Sequence, residues 1–249
     1  MLFIFALSLF LSSFLLFWIE PMFAKMILPM FGGSPSVWNT CMVFYQAVLL
    51  MGYLYAHGIT RGLEIHHQVF IHLGVLWVAV IALPIAIPEG WSLSIGNSPN
   101  FSLFILLIIS MGLPFFVITT TAPLLQRWFV NTGHPSSKDP YFLYSVSNLG
   151  SMVALLSYPV LVEPNLKLAD QTGIWSIGYG LLAGLISICA IVLFRSPAIG
   201  AQNPKTKKIP EYQGTLSTSI REDSIYMSQR IRWILLSFAP SSLLLGVTN

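Results

Sequence analysis

The sequence predicts an all-α protein, a polytopic membrane helix bundle. Only 8% of its 249 residues are charged and 55% are hydrophobic, whereas a soluble domain carries about 25% charged residues. The apolar residues form long runs, and a helix needs roughly 20 such residues to cross a bilayer. Ten of the twelve Lys and Arg residues lie in alternate gaps between these runs, which is the charge asymmetry expected of a multi-pass protein.

Seven apolar segments are predicted, and at least six of them reach the length of a membrane span. In order along the chain they cover residues 2–28, 36–57, 68–88, 102–126, 141–162, 170–194 and 231–249. The first segment has neither a basic region before it nor a clear small-residue cleavage site after it, so we interpret it as a retained helix rather than a signal peptide. The last segment is short for a span and stops at Asn249, and the chain is therefore expected to be truncated.

The positions of the basic residues predict the orientation of these helices. The gaps after the second, fourth and sixth segments hold Arg61, Arg127, Lys138, Arg195, Lys205, Lys207, Lys208, Arg221, Arg230 and Arg232. The other gaps hold only Lys25 and Lys167. Because positive charge is retained on the cytoplasmic side, the N-terminus is predicted to be cytoplasmic. The net charge of +3 then reflects orientation, and no basic stripe with interleaved aromatic residues indicates a nucleic-acid partner.

Three parts are predicted along the chain. Residues 1–195 form a six-helix membrane domain, residues 196–229 a polar cytoplasmic linker, and residues 230–249 the start of a seventh membrane helix. The linker is rich in Pro, Ser, Thr, Gln and Lys, a composition typical of flexible segments.

Two stretches of the membrane domain share the same pattern of prolines and basic residues. In each, a proline is followed four residues later by a basic residue, and the next helix runs eighteen residues from a proline to a tyrosine. The matching residues are Pro21, Lys25, Pro35 and Tyr53 in one stretch and Pro123, Arg127, Pro140 and Tyr158 in the other. Since the two units cross in opposite directions, the pattern predicts a 3+3 inverted repeat, as in many secondary transporters. Chance is the alternative, because prolines and basic residues are common at helix ends.

The helices that open the two units are expected to be broken by proline and to line a central pathway. The first is interrupted at Glu20-Pro21, and the second at Pro114 and at residues 119–123. Proline removes a backbone hydrogen bond, which a membrane tolerates where protein or water satisfies the freed groups. A packing kink without a transport role is the alternative.

Polar residues within the spans are the candidate substrate-binding residues: Glu20, Lys25, Asn39, Gln46, Thr120 and Asn148. Glu20 is the leading candidate, because an ionisable group at membrane depth is costly and usually faces the bundle interior. Asn39 and Gln46 recur with Tyr53 every seven residues and so share a helix face. Two alternatives remain open: Glu20 and Lys25 are solvated at the outer interface, or the amides only hold helices together.

Other residues are interpreted as structural. The sixth helix has a small-residue face suited to close packing, formed by Ser176, Gly180 and Gly184. Four histidines near the predicted cytoplasmic gap are expected to be solvated: His57, His66, His67 and His72. Cys41 and Cys189 are expected to be free buried thiols, because no Cys/His spacing typical of a metal site accompanies them.

Several longer strings resemble the membrane domain of bacterial fused major-facilitator/spermidine-synthase proteins. They are EPMFAKMILP (residues 20–29), GGSPSVWNTCMVFYQ (32–46), TAPLLQRWF (121–129), DPYFLYSVSNLGS (139–151) and PSSLLLGVT (240–248). The resemblance implies a major-facilitator-like N-terminal half in a bacterial inner membrane, normally linked to an aminopropyltransferase-like domain. The chain itself contains no strand followed by a Gly-rich turn and an acidic residue, so no cofactor site is assigned.

The expected function is that of a transporter-like domain that handles a small molecule, with a polyamine suggested only by the resemblance. The loop after the second helix keeps the glycines and the arginine typical of major-facilitator proteins in Gly58-Ile59-Thr60-Arg61-Gly62 but has no aspartate. The rival interpretation is a non-transporting membrane anchor for a synthase domain. The expected partners are the lipid bilayer, a small-molecule substrate, and a downstream synthase domain or a second copy of the chain. No enzymatic activity is expected within these residues, because the spans offer few titratable groups.

Overall fold

The computed structural model describes residues 1–88, 90–91, 98–138 and 141–196, and the regular structure of these residues is helical throughout. Its long helices are α1 (Leu2–Phe31), α2 (Pro35–Gly62), α3 (Ile65–Ile81), α4 (Pro99–Val130), α5 (Tyr141–Asn165) and α6 (Leu168–Phe194). A short 3-10 helix, Pro135–Lys138, lies between α4 and α5. The predicted linker beyond Ser196 and the predicted seventh helix lie outside the described residues.

Five of these helices are long and apolar enough to cross a membrane, namely all except α3. The prediction of a third span over residues 68–88 was wrong at its C-terminal part, because α3 ends at Ile81. Pro84 and Pro88 follow, and each lacks the backbone N–H and would clash with the carbonyl four residues earlier. With 17 residues, α3 is about 25 Å long, shorter than a full span.

The predicted breaks in the first and fourth helices are placed differently by the structure. Helix α1 continues through Pro21 to Phe31 without interruption. Helix α4 is also continuous through Pro123, but it contains a π-helical turn at Ile108–Gly112, just before Pro114. Helix α5 has a similar turn at Tyr158–Val162, around Pro159. A π turn leaves space for a residue that cannot join the regular hydrogen-bond ladder, which explains its place beside these prolines.

Helix α1 is the centre of the bundle. It packs along α5 and α6 and also contacts α4, while α2 packs on α4, and α3 packs on α4 and α6. The α1–α5 contact is close, since a Cβ added to Gly150 would overlap the backbone oxygen of Phe10. Gly52 allows a similar approach of α2 to Thr119 on α4. Small residues of this kind let transmembrane helices pack tightly where the hydrophobic effect does not drive association.

The packing residue on α6 differs from the predicted one. A Cβ added to Gly180 or Gly184 would meet no atom within 4 Å. Gly178 is the glycine in contact, because a Cβ there would lie 2.9 Å from Cδ2 of Leu15. Gly178 lies two residues from both Ser176 and Gly180, about 200° around the helix, so the side of α6 that meets α1 is roughly opposite to the predicted one.

The two ends of the bundle carry different charges. Arg61, Arg127 and Arg195 lie at the C-terminal ends of α2, α4 and α6, and we call this the arginine end. Ring contacts join it across the bundle, with Phe5 5.4 Å from Phe129 and His66 5.2 Å from Phe194. The opposite end, which carries Lys25 and Lys167, is called the lysine end. The described basic residues are therefore divided between two ends as the sequence predicts.

Candidate functional site

A row of polar side chains follows one face of α2 from the lysine end to the arginine end. We call it the polar stripe, and it consists of Asn39, Gln46, Tyr53 and Thr60. The first three are exposed and Thr60 is half-buried. Their seven-residue spacing keeps them on one helix face, over a length of about 30 Å. The structure extends the predicted row by one residue, Thr60.

A small polar cavity of about 210 Å³ lies next to this stripe, near the middle of the bundle. Its polar lining comes from four helices: Ser12, Ser13, Tyr53, Thr119, Ser147, Asn148 and Ser151. The Ser13 and Ser147 hydroxyls hydrogen-bond each other between α1 and α5. The cavity therefore brings the predicted residue Asn148 together with Tyr53 of the polar stripe.

The threonine that lines this middle cavity is Thr119. The predicted candidate, Thr120, is 1% exposed and donates its hydroxyl to the backbone oxygen of Val117 over 2.7 Å. Thr119 and Thr120 lie about 100° apart around the helix, so only one of them faces the cavity. The sequence offers both threonines equally, and the rotation of α4 against α2 decides between them.

A larger cavity of about 590 Å³ opens at the lysine end between α1, α2 and α5. Its lining is mostly apolar, and includes Pro21, Trp38, Cys41 and Tyr158. The charged groups in it are Lys25 and Glu163, whose Nζ and Oε1 atoms lie 2.9 Å apart. Their side chains are 40% and 45% exposed. The predicted candidate Lys25 is thus neutralised by a carboxylate of α5.

Asn39 lies in a separate recess of about 440 Å³ at the same end. Ser36, Thr40 and Asn100 line it with Asn39. The Asn100 amide donates to the Ser36 hydroxyl over 2.8 Å and links α2 to the start of α4.

Glu20 lies on α1 between the middle cavity and the lysine-end cavity. Phe17, three residues before Glu20, lines the middle cavity. Ala24, four residues after Glu20, lines the lysine-end cavity. Residues at these spacings share one helix face. Glu20 is half-buried, and its carboxylate has no hydrogen-bond or ion-pair partner among the described residues. Its backbone oxygen accepts a hydrogen bond from the Tyr45 hydroxyl over 3.3 Å.

The cavity at the arginine end has a volume of about 600 Å³ and is formed by α2 and α4. We call it the arginine cavity. Its lining includes Tyr53, His57, Thr60, Arg61, Pro123 and Arg127. Tyr53 lines both this cavity and the middle one. His57, His66 and His67 are exposed as predicted. His72 on α3 is only 1% exposed, so the prediction that it is solvated was wrong.

The six predicted residues do not converge on one site. Lys25, Asn39 and Asn148 each line a different cavity, and Glu20 lines none of the four cavities described. Gln46 is exposed on the polar stripe, and Thr120 is buried. Sequence reasoning missed Ser12, Ser13 and Thr119 of the middle cavity and Glu163 of the lysine-end cavity. Glu163 could have been suspected as an acid near the end of the fifth span, but nothing in the sequence pairs it with a lysine 138 positions earlier.

The described residues contain no group of three or more His, Cys, Asp or Glu side chains that could hold a metal ion. Cys41 and Cys189 are free and buried, as predicted. No family model matches the chain, and neither a curated protein nor a solved structure gives a significant match to it.

Proposed function

We propose that the chain is a transporter-like membrane domain whose pathway for a small molecule follows the polar stripe of α2. The chain would lie in a bacterial inner membrane with the arginine end in the cytoplasm. The orientation rests on the accumulation of basic residues at that end.

The observation that carries the proposal is the run of cavities beside the polar stripe. Asn39 lines the recess at the lysine end, Tyr53 the middle cavity, and Thr60 the arginine cavity. Polar side chains at membrane depth are costly when they face lipid. Polar residues that recur every two turns from one end of α2 to the other are therefore explained by water or by another protein surface, and the adjoining cavities favour water.

The pairing of helices supports a 3+3 inverted repeat. In such a repeat, α1, α2 and α3 of the first unit correspond to α4, α5 and α6 of the second. The α1–α5 contact then corresponds to the α4–α2 contact. In the same way the α1–α6 contact corresponds to the α4–α3 contact, and each of these four contacts is present. Inverted repeats of this kind place substrate sites near the membrane centre, and the middle cavity, near the middle of the bundle, is compatible with such a site.

A cationic substrate is the class we propose, with Glu20 as its main binding group. The Glu20 carboxylate has no partner in the part of the chain that the structure describes, and it lies between two cavities on one face of α1. The resemblance to fused major-facilitator/spermidine-synthase proteins adds a polyamine as the specific candidate. Asn148 and Gln46 would contribute neutral hydrogen-bond groups along the pathway.

The test is uptake of labelled spermidine by proteoliposomes that contain the full chain. Glu20→Gln is expected to abolish uptake, because it removes the charge while keeping the size of the side chain. The matched control is Glu64→Gln, since Glu64 is an exposed carboxylate at the N-cap of α3, a helix that lines none of the cavities described. Uptake that is unchanged in Glu20→Gln would remove Glu20 from this role.

The alternative is a membrane anchor for a synthase domain, in which the polar stripe packs against another membrane segment. In that case protein-free and protein-containing liposomes take up spermidine equally, and Glu20→Gln lowers the yield of membrane-inserted protein instead. The Lys25–Glu163 ion pair is compatible with this role, since it joins α1 to α5 without requiring a substrate.

A further inference from the structure

The cavities at the two ends of the bundle are built from corresponding residues. The lysine-end cavity is lined by Pro21 and, four residues later, Lys25 on α1, together with Tyr158 on α5. The arginine cavity is lined by Pro123 and, four residues later, Arg127 on α4, together with Tyr53 on α2. These are the residues that were matched between the two stretches in the sequence. The two cavities therefore occupy corresponding positions in the two predicted repeat units.

The two cavities differ in whether their basic residue has an acidic partner. Lys25 forms an ion pair with Glu163 at 2.9 Å. The arginine cavity contains a second cation, Arg61, beside Arg127, and none of the described residues that line it is acidic. Neither arginine forms an ion pair within the described part of the chain. The lysine-end cavity is therefore neutral, whereas the arginine cavity holds two permanent positive charges.

The remaining polar groups of the arginine cavity are mainly hydrogen-bond donors. Each guanidinium supplies N–H groups in a planar fork that matches phosphate and carboxylate oxygens and accepts nothing. The Tyr53 hydroxyl and the His57 ring can also donate. The Thr60 hydroxyl already donates to the backbone oxygens of Ala56 and His57. A ligand for this lining must supply oxygen acceptors and negative charge.

Membrane orientation alone does not explain why Arg61 and Arg127 line the same cavity. Arg195 lies at the same end, is exposed, and serves orientation equally well. It lies outside the arginine cavity. Arg61 and Arg127 come from two different helices and line one space of about 600 Å³, which is large enough for a phosphate group with its substituents.

We propose that the arginine cavity is a binding site for a phosphate-type anion, held by Arg61 and Arg127 with Tyr53 and His57 as hydrogen-bond donors. The phosphate can belong to the headgroup of an anionic lipid or to a soluble anion from the aqueous side. The site is separate from Glu20 and does not depend on whether the chain transports a cation.

The first arm of the test measures lipid retention. The full chain is placed in nanodiscs of phosphatidylcholine mixed with phosphatidylglycerol, and phosphatidylglycerol that stays bound is measured by native mass spectrometry. Arg61→Gln/Arg127→Gln is compared with Arg195→Gln, which removes a charge from the same end. A lipid headgroup in the cavity predicts a loss of about tenfold or more in retention for the double variant, since hydrogen bonds to charged groups are stronger than neutral ones, and little loss for Arg195→Gln.

The second arm measures binding of a soluble anion. The same variants are placed in phosphatidylcholine alone, and inorganic phosphate is titrated against chloride at equal ionic strength while the melting temperature is followed. A soluble ligand predicts a rise in melting temperature with phosphate for the wild-type chain and for Arg195→Gln that disappears in the double variant. If the double variant does not fold, Arg61→Lys/Arg127→Lys keeps the charges but loses the planar fork, and a partial loss is expected in the same measurements.

A specific effect in either arm supports the site and identifies the source of the phosphate. The proposal is overturned if neither arm separates the double variant from the wild-type chain. It is also overturned if Arg195→Gln loses as much as the double variant, because the effect would then be one of net charge alone.

Discussion

Lys25 Nζ lies 2.9 Å from Glu163 Oε1, and this ion pair joins α1 to α5 at the lysine end of the bundle. Both side chains are about half exposed, at 40% and 45%. An ion pair that solvent reaches contributes little to stability, because water screens the attraction and ordering two long side chains opposes it. Its main effect is to neutralise the lysine-end cavity.

A charge exchange tests this assignment. Lys25→Glu and Glu163→Lys, made singly, are each expected to lower the free energy of unfolding by less than about 1 kcal/mol. The combined exchange should restore most of that loss. Reversible unfolding in mixed micelles gives the three values. If the combined exchange is no better than the sum of the single ones, the pair does not form in the membrane.

The close contact of α1 with α5 predicts a strong effect at Gly150. Gly150→Leu is expected to lower the free energy of unfolding by about 1–3 kcal/mol, because the new side chain would displace the backbone at Phe10. Gly180→Leu is the matched control, since no atom lies within 4 Å of a Cβ there. Equal melting temperatures of the two variants would show that the two helices are farther apart than described.

Replacing the buried His72 with an apolar residue is expected to stabilise the protein. Neither ring nitrogen has a hydrogen-bond partner among the described residues, and the ring is enclosed by Trp128 and Tyr55 at centroid distances of 5.7 and 6.2 Å. A buried polar group without a partner costs about 1–3 kcal/mol. His72→Phe is therefore expected to raise the melting temperature. A lower one would mean that bound water satisfies the imidazole.

The orientation in the membrane can be measured by cysteine labelling. In a background with Cys41→Ser and Cys189→Ser, single cysteines are introduced by Gly33→Cys at the lysine end and by Glu64→Cys at the arginine end. With the N-terminus in the cytoplasm, intact cells should label only Gly33→Cys with a membrane-impermeant maleimide. Glu64→Cys should react after permeabilisation. The opposite pattern would invert the proposed topology.

The membrane class and the bounds of five long helices could be predicted from the sequence, whereas the third predicted span is a shorter helix among the described residues. Hydropathy and length are properties of one segment at a time, which is why α1, α2, α4, α5 and α6 appear within a few residues of their predicted ranges. The predictions of helix ends and helix breaks that were wrong all concern segments next to prolines. Pro84 and Pro88 follow an earlier end of α3, and Pro114 is accommodated by a π turn rather than a break.

The candidate site was predicted less completely, because a site depends on the rotation and neighbours of each helix. The seven-residue spacing on α2 identified three residues of the polar stripe, since that spacing is a property of one helix. It could not decide between Thr119 and Thr120, between Gly178 and Gly180, or which carboxylate would meet Lys25.

The sequence by itself determined that this is a helical membrane protein with basic residues divided between two ends. The length of each apolar segment and the order of the basic residues are properties of the linear sequence. Only the tertiary structure decided which cation is neutralised. Lys25 meets Glu163 because α1 packs on α5, whereas Arg127 shares a cavity with Arg61 because α4 packs on α2. Electrostatic interactions depend on distances in space, and those distances are set by helix packing rather than by sequence separation.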